Sequence, residues 1–206
     1  MAITIFKRST REEKFWKWVI RHKNELEDFI RSDFKDYGIY NQLSAKAREY
    51  HPMLYPEMTI GENGETVLIL SADGQKEGLR PVEVIFEAKP VIDNWIVHKF
   101  RQAKDEISLN FEDTEFPSSH ILVIPEIDST HQKVNAAVYI KNLNSNLIGS
   151  QALFFLYLDH ILGEYNVISF VGTLEFLDWN IDQTPEEGIS LLELRYLIEK
   201  DLISGI

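Results

Sequence analysis

Three features of this 206-residue sequence predict an α+β fold. Apolar residues near the start recur at helical spacing, an Asn-Gly pair sits between two short apolar runs, and the order strand, strand, helix, strand can be read twice. The expected architecture is two N-terminal helices followed by a candidate duplication of that four-element unit. The sheet should be mainly antiparallel with helices on one face. Residues 1–206 are expected to form a single domain, with the duplicated units at 56–100 and 120–170, because no linker or low-complexity stretch separates them.

The first helix is expected to start at Ser9-Thr10, where a hydroxyl can cap free N–H groups and Glu12-Glu13 suit the positive end. It should run to about Ile30. At 100° per residue Phe15, Val19, Leu26 and Ile30 share one side, with Trp18 and Phe29 on one flank and Trp16 and Ile20 on the other. The Phe-Trp-Lys-Trp cluster is therefore read mainly as packing. A second helix, Ser32 to Tyr50, should stop before His51-Pro52, since a residue ahead of proline is pushed out of helical geometry.

Met58 to Ile60 and Thr66 to Leu70 flank Asn63-Gly64, which could supply the two positive φ angles of a tight hairpin turn. Ser71-Ala72-Asp73-Gly74 should turn the chain into a helix of about Gly78 to Ala88, with Pro81 in its first turn. Trp95 to Phe100 reads as a strand, and Glu106 to Phe111 alternates like another. The second unit is expected as strand Ile121 to Ile124, turn Asp128 to His131, strand Asn135 to Ile140, helix Asn146 to Leu162 and strand Val167 to Phe170. Thr173 to Leu177 would add a strand and Ile189 to Leu202 a closing helix, with a loop over Asp178 to Gly188.

Hydrophobic residues at 44% with twelve Phe, eight Tyr and four Trp require a packed core. The absence of cysteine excludes disulfides, thiolate zinc sites and a cysteine nucleophile, and suits a reducing compartment. The opening Met-Ala-Ile-Thr-Ile-Phe-Lys-Arg is too short for a secretory core, and the apolar run Leu147 to Leu162 falls short of a membrane span. A cytoplasmic protein with no membrane partner is expected. Net charge is −12, with residues 1–55 at +3 and residues 56–206 at −15. That balance, with no basic stripe seen interleaved with aromatics, disfavours nucleic acid.

From Asn142 to Leu194 there is no lysine or arginine, yet Asp159, Glu164, Glu175, Asp178, Asp182, Glu186, Glu187 and Glu193 all fall there. Such acids repel one another unless solvated or matched by bases or a cation. The leading functional reading is a non-catalytic acidic interaction protein of the inhibitor or immunity kind, meeting a basic protein partner. A solvated face that aids solubility is the plain alternative.

Phe15-Trp16-x-Trp18, Ser71-Ala72-Asp73-Gly74 and Leu158-Asp159-His160-Ile161-Leu162-Gly163-Glu164-Tyr165-Asn166-Val167 together resemble a set of uncharacterised bacterial cytosolic proteins of similar length. The resemblance spans most of the chain. It implies a single bacterial domain and carries over no functional residue.

The helix Asn146 to Leu162 is apolar nearly all round and should be buried on more than one side. Asp159 and His160 stand out against it, and Glu164 follows four residues after His160. One reading makes Asp159, His160 and Glu164 a hard-cation or acid/base site of a hydrolase. The other has them satisfying groups at a helix end, with Gly163 as its cap and Glu164 already beyond it. Asp73 could aim a carboxylate into a cleft or cap the following helix. Trp95 and Trp179 could wall the groove of a small-molecule or peptide sensor, or simply pack. No nucleophile elbow, phosphate loop or dinucleotide fingerprint occurs, so an enzyme is disfavoured and no cofactor is expected. A monomer or a homodimer fits the sequence equally.

Overall fold

A computed structural model of the chain describes residues 9–107, 109–111, 114–141, 147–179 and 185–203. Two compact units result, Met1–Phe100 and Arg101–Ile206. Each combines helices with a three-stranded mixed sheet, so the fold is α+β.

In the N-terminal unit, helix α1 (Arg11–Arg21) starts where the hydroxyl signal placed it: Thr10 Oγ1 accepts the Glu13 N–H at 3.2 Å. The helix does not continue to Ile30. His22 leaves helical geometry (φ −105°, ψ 18°), its N–H shared between the Trp18 and Val19 carbonyls, and its ring stacks on Trp18 with centroids 4.3 Å apart. Helix α2 (Lys23–Arg31) follows. Phe15, Trp16, Val19, Leu26, Phe29 and Ile30 are buried, so both helices still turn their apolar side inward. Helix α3 (Gly38–Tyr50) starts six residues later than expected, because Asp33 and Phe34 adopt the left-handed region (φ 59° and 58°) that ends a helix. It stops at Tyr50, and His51 before the proline is extended.

Strands β1 (Tyr55–Ile60) and β2 (Thr66–Ser71) pair antiparallel, and β3 (Trp95–Lys99) joins β2 in parallel. At the hairpin only Gly64 of the Asn-Gly pair takes a positive φ, at 83°. The tight two-residue turn gives way to a longer loop, closed by Gly64 N–H on the Gly61 carbonyl (3.0 Å) and Gly61 N–H on the Glu65 carbonyl (2.8 Å). Helix α4 (Leu79–Glu87) supplies the crossover that a parallel third strand requires, with Pro81 in its first turn. Gly78 sits where the chain enters this helix. A Cβ there would lie 2.7 Å from Ala72 Cβ and 2.8 Å from the Met53 carbonyl oxygen.

In the C-terminal unit, β4 (Leu109–Phe111) and β5 (Thr114–Phe116) form a short antiparallel pair. β6 (Ile121–Asp128) and β7 (Lys133–Lys141) form a hairpin whose turn is held by the Asp128 carboxylate. That carboxylate accepts from the Thr130 and His131 N–H groups and lies 2.7 Å from His131 Nδ1. Helix α5 (Leu147–Leu158), a π-helical turn (Asp159–Gly163) and helix α6 (Glu164–Phe170) lead to β8 (Val171–Trp179), which pairs parallel to β7. Helix α7 (Leu191–Ile198) starts with a reciprocal cap between Ser190 and Glu193. Val123, Val134, Val138 and Ile140 of the sheet pack with Phe154, Tyr157, Leu158, Leu194 and Ile198 of the helices as one apolar core. Hairpin, helical crossover and parallel third strand thus occur in the same order in both units.

Two expectations for this unit are corrected. Val167 to Phe170 is helical, since Gly163 (φ 84°) turns the chain and a new helix resumes before β8. The Lys133 ammonium supports the end of α6, donating to the Ile168 and Val171 carbonyls at 3.2 and 3.3 Å where the helix dipole is negative. The expected strand Thr173 to Leu177 lies within the longer β8. Helix α5 buries Leu153, Phe154, Tyr157 and Leu158 but exposes Phe155 and Leu156, so it is covered on one side only. Among the described residues no helix is long and apolar enough to cross a membrane.

The two glycine contacts differ in what must move. At Gly172 an added Cβ would press on Asn135 Oδ1, the atom that accepts the Thr173 N–H at 2.8 Å. Gly172→Ala should therefore cost about one hydrogen bond, roughly 1 kcal/mol. Gly78→Ala presses on backbone and should cost more, about 1–3 kcal/mol. Urea unfolding of the two variants measures the order.

Candidate functional site

The π-helical turn is the chemically richest segment of the C-terminal unit, because it interrupts an apolar helix with Asp159, His160 and a left-handed glycine. Gly163 starts a new helix direction, so Glu164 opens α6 and does not share a helical face with His160. Asp159 and Glu164 are buried, the latter completely.

Both acids meet Arg101. Its guanidinium bonds the Asp159 carboxylate at 2.5 Å, and its backbone N–H donates to Glu164 Oε2 at 3.0 Å. The contact is returned by the Glu164 N–H on the Arg101 carbonyl (3.1 Å) and extended by the Lys104 N–H on the His160 carbonyl (2.7 Å). Arg195 of α7 closes the other side. It donates to the Lys104 and Ile161 carbonyls at 3.3 and 3.2 Å and to Asp105 Oδ1 at 2.7 Å. A charge taken out of water is tolerable only when it is matched; Asp159 has the Arg101 guanidinium, and Glu164 accepts the Arg101 N–H.

His160 differs from its neighbours. Its Nδ1 is buried without a hydrogen-bond partner. Burial, then the nearby Lys104 and Arg101 cations, push its pKa below the ordinary 6.5. The arrangement holds the Arg101 to Asp105 segment on the turn. Among the described residues no three His, Asp or Glu side chains converge as a metal ion would need. The geometry thus ties Asp159 to the Arg101 guanidinium and Glu164 to the Arg101 backbone.

The other candidates lie elsewhere. Asp73 is exposed in a left-handed conformation (φ 49°), its N–H on Ser71 Oγ at 2.9 Å. It does not cap α4, which is entered through Gly78 without a side-chain cap. Trp95 is half-buried in the N-terminal unit and donates its Nε1–H to Glu27 at 2.8 Å. Trp179 is buried at the end of β8 under the Lys141 ammonium, 4.5 Å from the ring centroid. Of the remaining late acids, Glu193 is spent on the α7 cap, while Glu175, Asp178, Glu186 and Glu187 are exposed. Asp182 lies outside the described residues.

Sequence reasoning missed a cleft of about 430 Å³ in the N-terminal unit. From α1 it is lined by Arg11, Lys14, Phe15, Lys17, Trp18 and Arg21, and from α3 by Lys46, Glu49 and Tyr50. This overturns the expectation that no basic stripe is interleaved with aromatics. The signal was present: Arg11, Lys14, Trp18 and Arg21 are spaced i, i+3, i+7, i+10, one face of a helix. Tyr50 is pushed up to about 12 by burial and by the Glu12 carboxylate, so it stays neutral there.

Arg101→Ala should destabilise the protein by roughly 3 kcal/mol in urea unfolding, since it strips a buried carboxylate of its cation. The pH dependence has a definite sign. His98, His120 and His160 all have lowered folded-state pKa values, burial being the first cause of each. Below about pH 6.5 the unfolded chain binds protons that the folded chain refuses, so stability falls as pH drops. His160→Asn should reduce that loss, measured as the difference in unfolding free energy between about pH 7.5 and 5.5.

No known protein family, curated protein or solved structure matches the chain.

Proposed function

We propose that the protein is a cytosolic, non-catalytic interaction protein of the inhibitor or immunity kind, which docks a basic partner on its C-terminal unit. One observation carries the reading: an otherwise core-facing helix exposes Phe155 and Leu156 at 48% and 41%, next to an acidic strand. Phe155 meets Phe176 of β8 edge-on, with ring centroids 6.0 Å apart. The same strand exposes Asp178 on the face of Phe176 and Glu175 on the opposite face.

An apolar centre with a charged border is the usual anatomy of a protein interface. Aromatic rings supply the anchoring contact, and the unopposed acids speed encounter with a cationic surface. The base-free stretch from Asn142 to Leu194 leaves these carboxylates without a local counter-charge in sequence. The commitment of Asp159 and Glu164 to Arg101 weighs against the alternative of acid/base hydrolysis.

The test compares affinity capture from native lysate at about 50 and 500 mM salt. Wild type should recover a stoichiometric basic protein at low salt and release it at high salt. Phe155→Ser and the pair Glu175→Lys/Asp178→Lys should each abolish capture. Recovery of no partner, or capture indifferent to both changes, overturns the reading.

A further inference from the structure

We propose that the cleft between α1 and α3 binds a nucleoside polyphosphate, its phosphates on the α1 cations and its base against the cleft aromatics. Cations outnumber anions along this wall, where Arg11, Lys14, Lys17, Arg21 and Lys46 stand with Glu49, and Glu12 lies beside Arg11 and Tyr50. Lys46 is matched by Glu49 at 2.6 Å, and Lys17 reaches Glu13 only at an exposed 3.9 Å. Lys14 and Arg21 form no ion pair among the described residues.

Local helix physics disfavours Arg11 and Lys14, which Glu12 and Glu13 offset only in part, whereas Arg21 sits favourably in the last turn of α1. Arg11 and Lys14 occupy the positive end of α1, where cations are unfavourable, and cations three and four residues apart repel. An anionic ligand reverses both effects. Arginine and lysine side by side offer a forked donor and a point charge to phosphate oxygens.

The aromatic wall selects the rest of the ligand. Trp18 is half-buried with one face against His22, and Tyr50 is half-buried with its hydroxyl 3.3 Å from the Pro81 carbonyl, so both rings are fixed. A planar base can pack beside rings that are already ordered, with little further loss of side-chain freedom. The volume is that of a small-ligand site. A net charge of −12 makes a long nucleic acid strand a poorer occupant than a compact polyanion.

Isothermal titration of the full chain with magnesium-free ATP, adenosine, inorganic tripolyphosphate and a single-stranded oligonucleotide tests this. ATP should bind one to one, with affinity falling as salt rises, and adenosine and tripolyphosphate should each bind more weakly. The exposed-site double variant Lys14→Glu/Arg21→Glu should lose about tenfold or more in ATP affinity. Its circular dichroism spectrum should stay unchanged, and Lys14→Gln/Arg21→Gln should show an intermediate loss. Trp18→Phe should weaken ATP without altering tripolyphosphate binding. The proposal is overturned by absence of ATP binding, by equal ATP binding in the double variant, by tripolyphosphate binding as tightly as ATP, or by the oligonucleotide outcompeting ATP.

Discussion

The Arg101 side chain and backbone hold the C-terminal unit at its weakest point. A helix that breaks into a π-helical turn leaves backbone groups and two acids without the regular ladder, inside a largely apolar core. Arg101 takes both acids, and Arg195 takes the turn's Ile161 carbonyl and the neighbouring Lys104 carbonyl. The hydrophobic packing of Phe154, Tyr157 and Leu158 before the break, and of Leu162 within it, depends on this polar fastening. Asp159 and Glu164, neighbours in sequence around the turn, both fasten it to the Arg101 segment.

The same charges therefore divide into two populations with different physics. Asp159, Glu164 and Glu193 are spent inside the fold or on a helix cap. Glu175, Asp178, Glu186 and Glu187 remain in solvent, where their repulsion is screened by salt but not removed. Along the face of α1 that lines the cleft the sign is opposite, although the N-terminal unit as a whole is close to neutral. A single net charge hides this separation, and partner chemistry follows the separated faces rather than the sum.

What was legible in the sequence was local. The Thr10 cap, the stop before His51-Pro52 and the β1–β2 hairpin all rest on interactions within a few residues. The misses have tertiary causes. His22 breaks a helix because its ring finds Trp18, and Val167 to Phe170 is helical against its β-branched composition because Lys133 supports the helix end. Arg101 stands 58 residues from Asp159 and 63 from Glu164, a partner that no spacing rule reveals. The cleft is hidden in the sequence because Phe15 and Trp16, which are buried, stand beside Trp18, which stays half-buried next to the cations.

Strand β8 is the last in the order β6-β7-β8, so one of its edges carries amide and carbonyl groups that no described strand completes. Such a border invites a second molecule to add its own strand and start a growing stack. Glu175 and Asp178 change the outcome, since in-register stacking of identical copies would bring like acids within a few ångströms of one another. Charge along this border thus works against stacking of identical copies where the bare backbone would favour it.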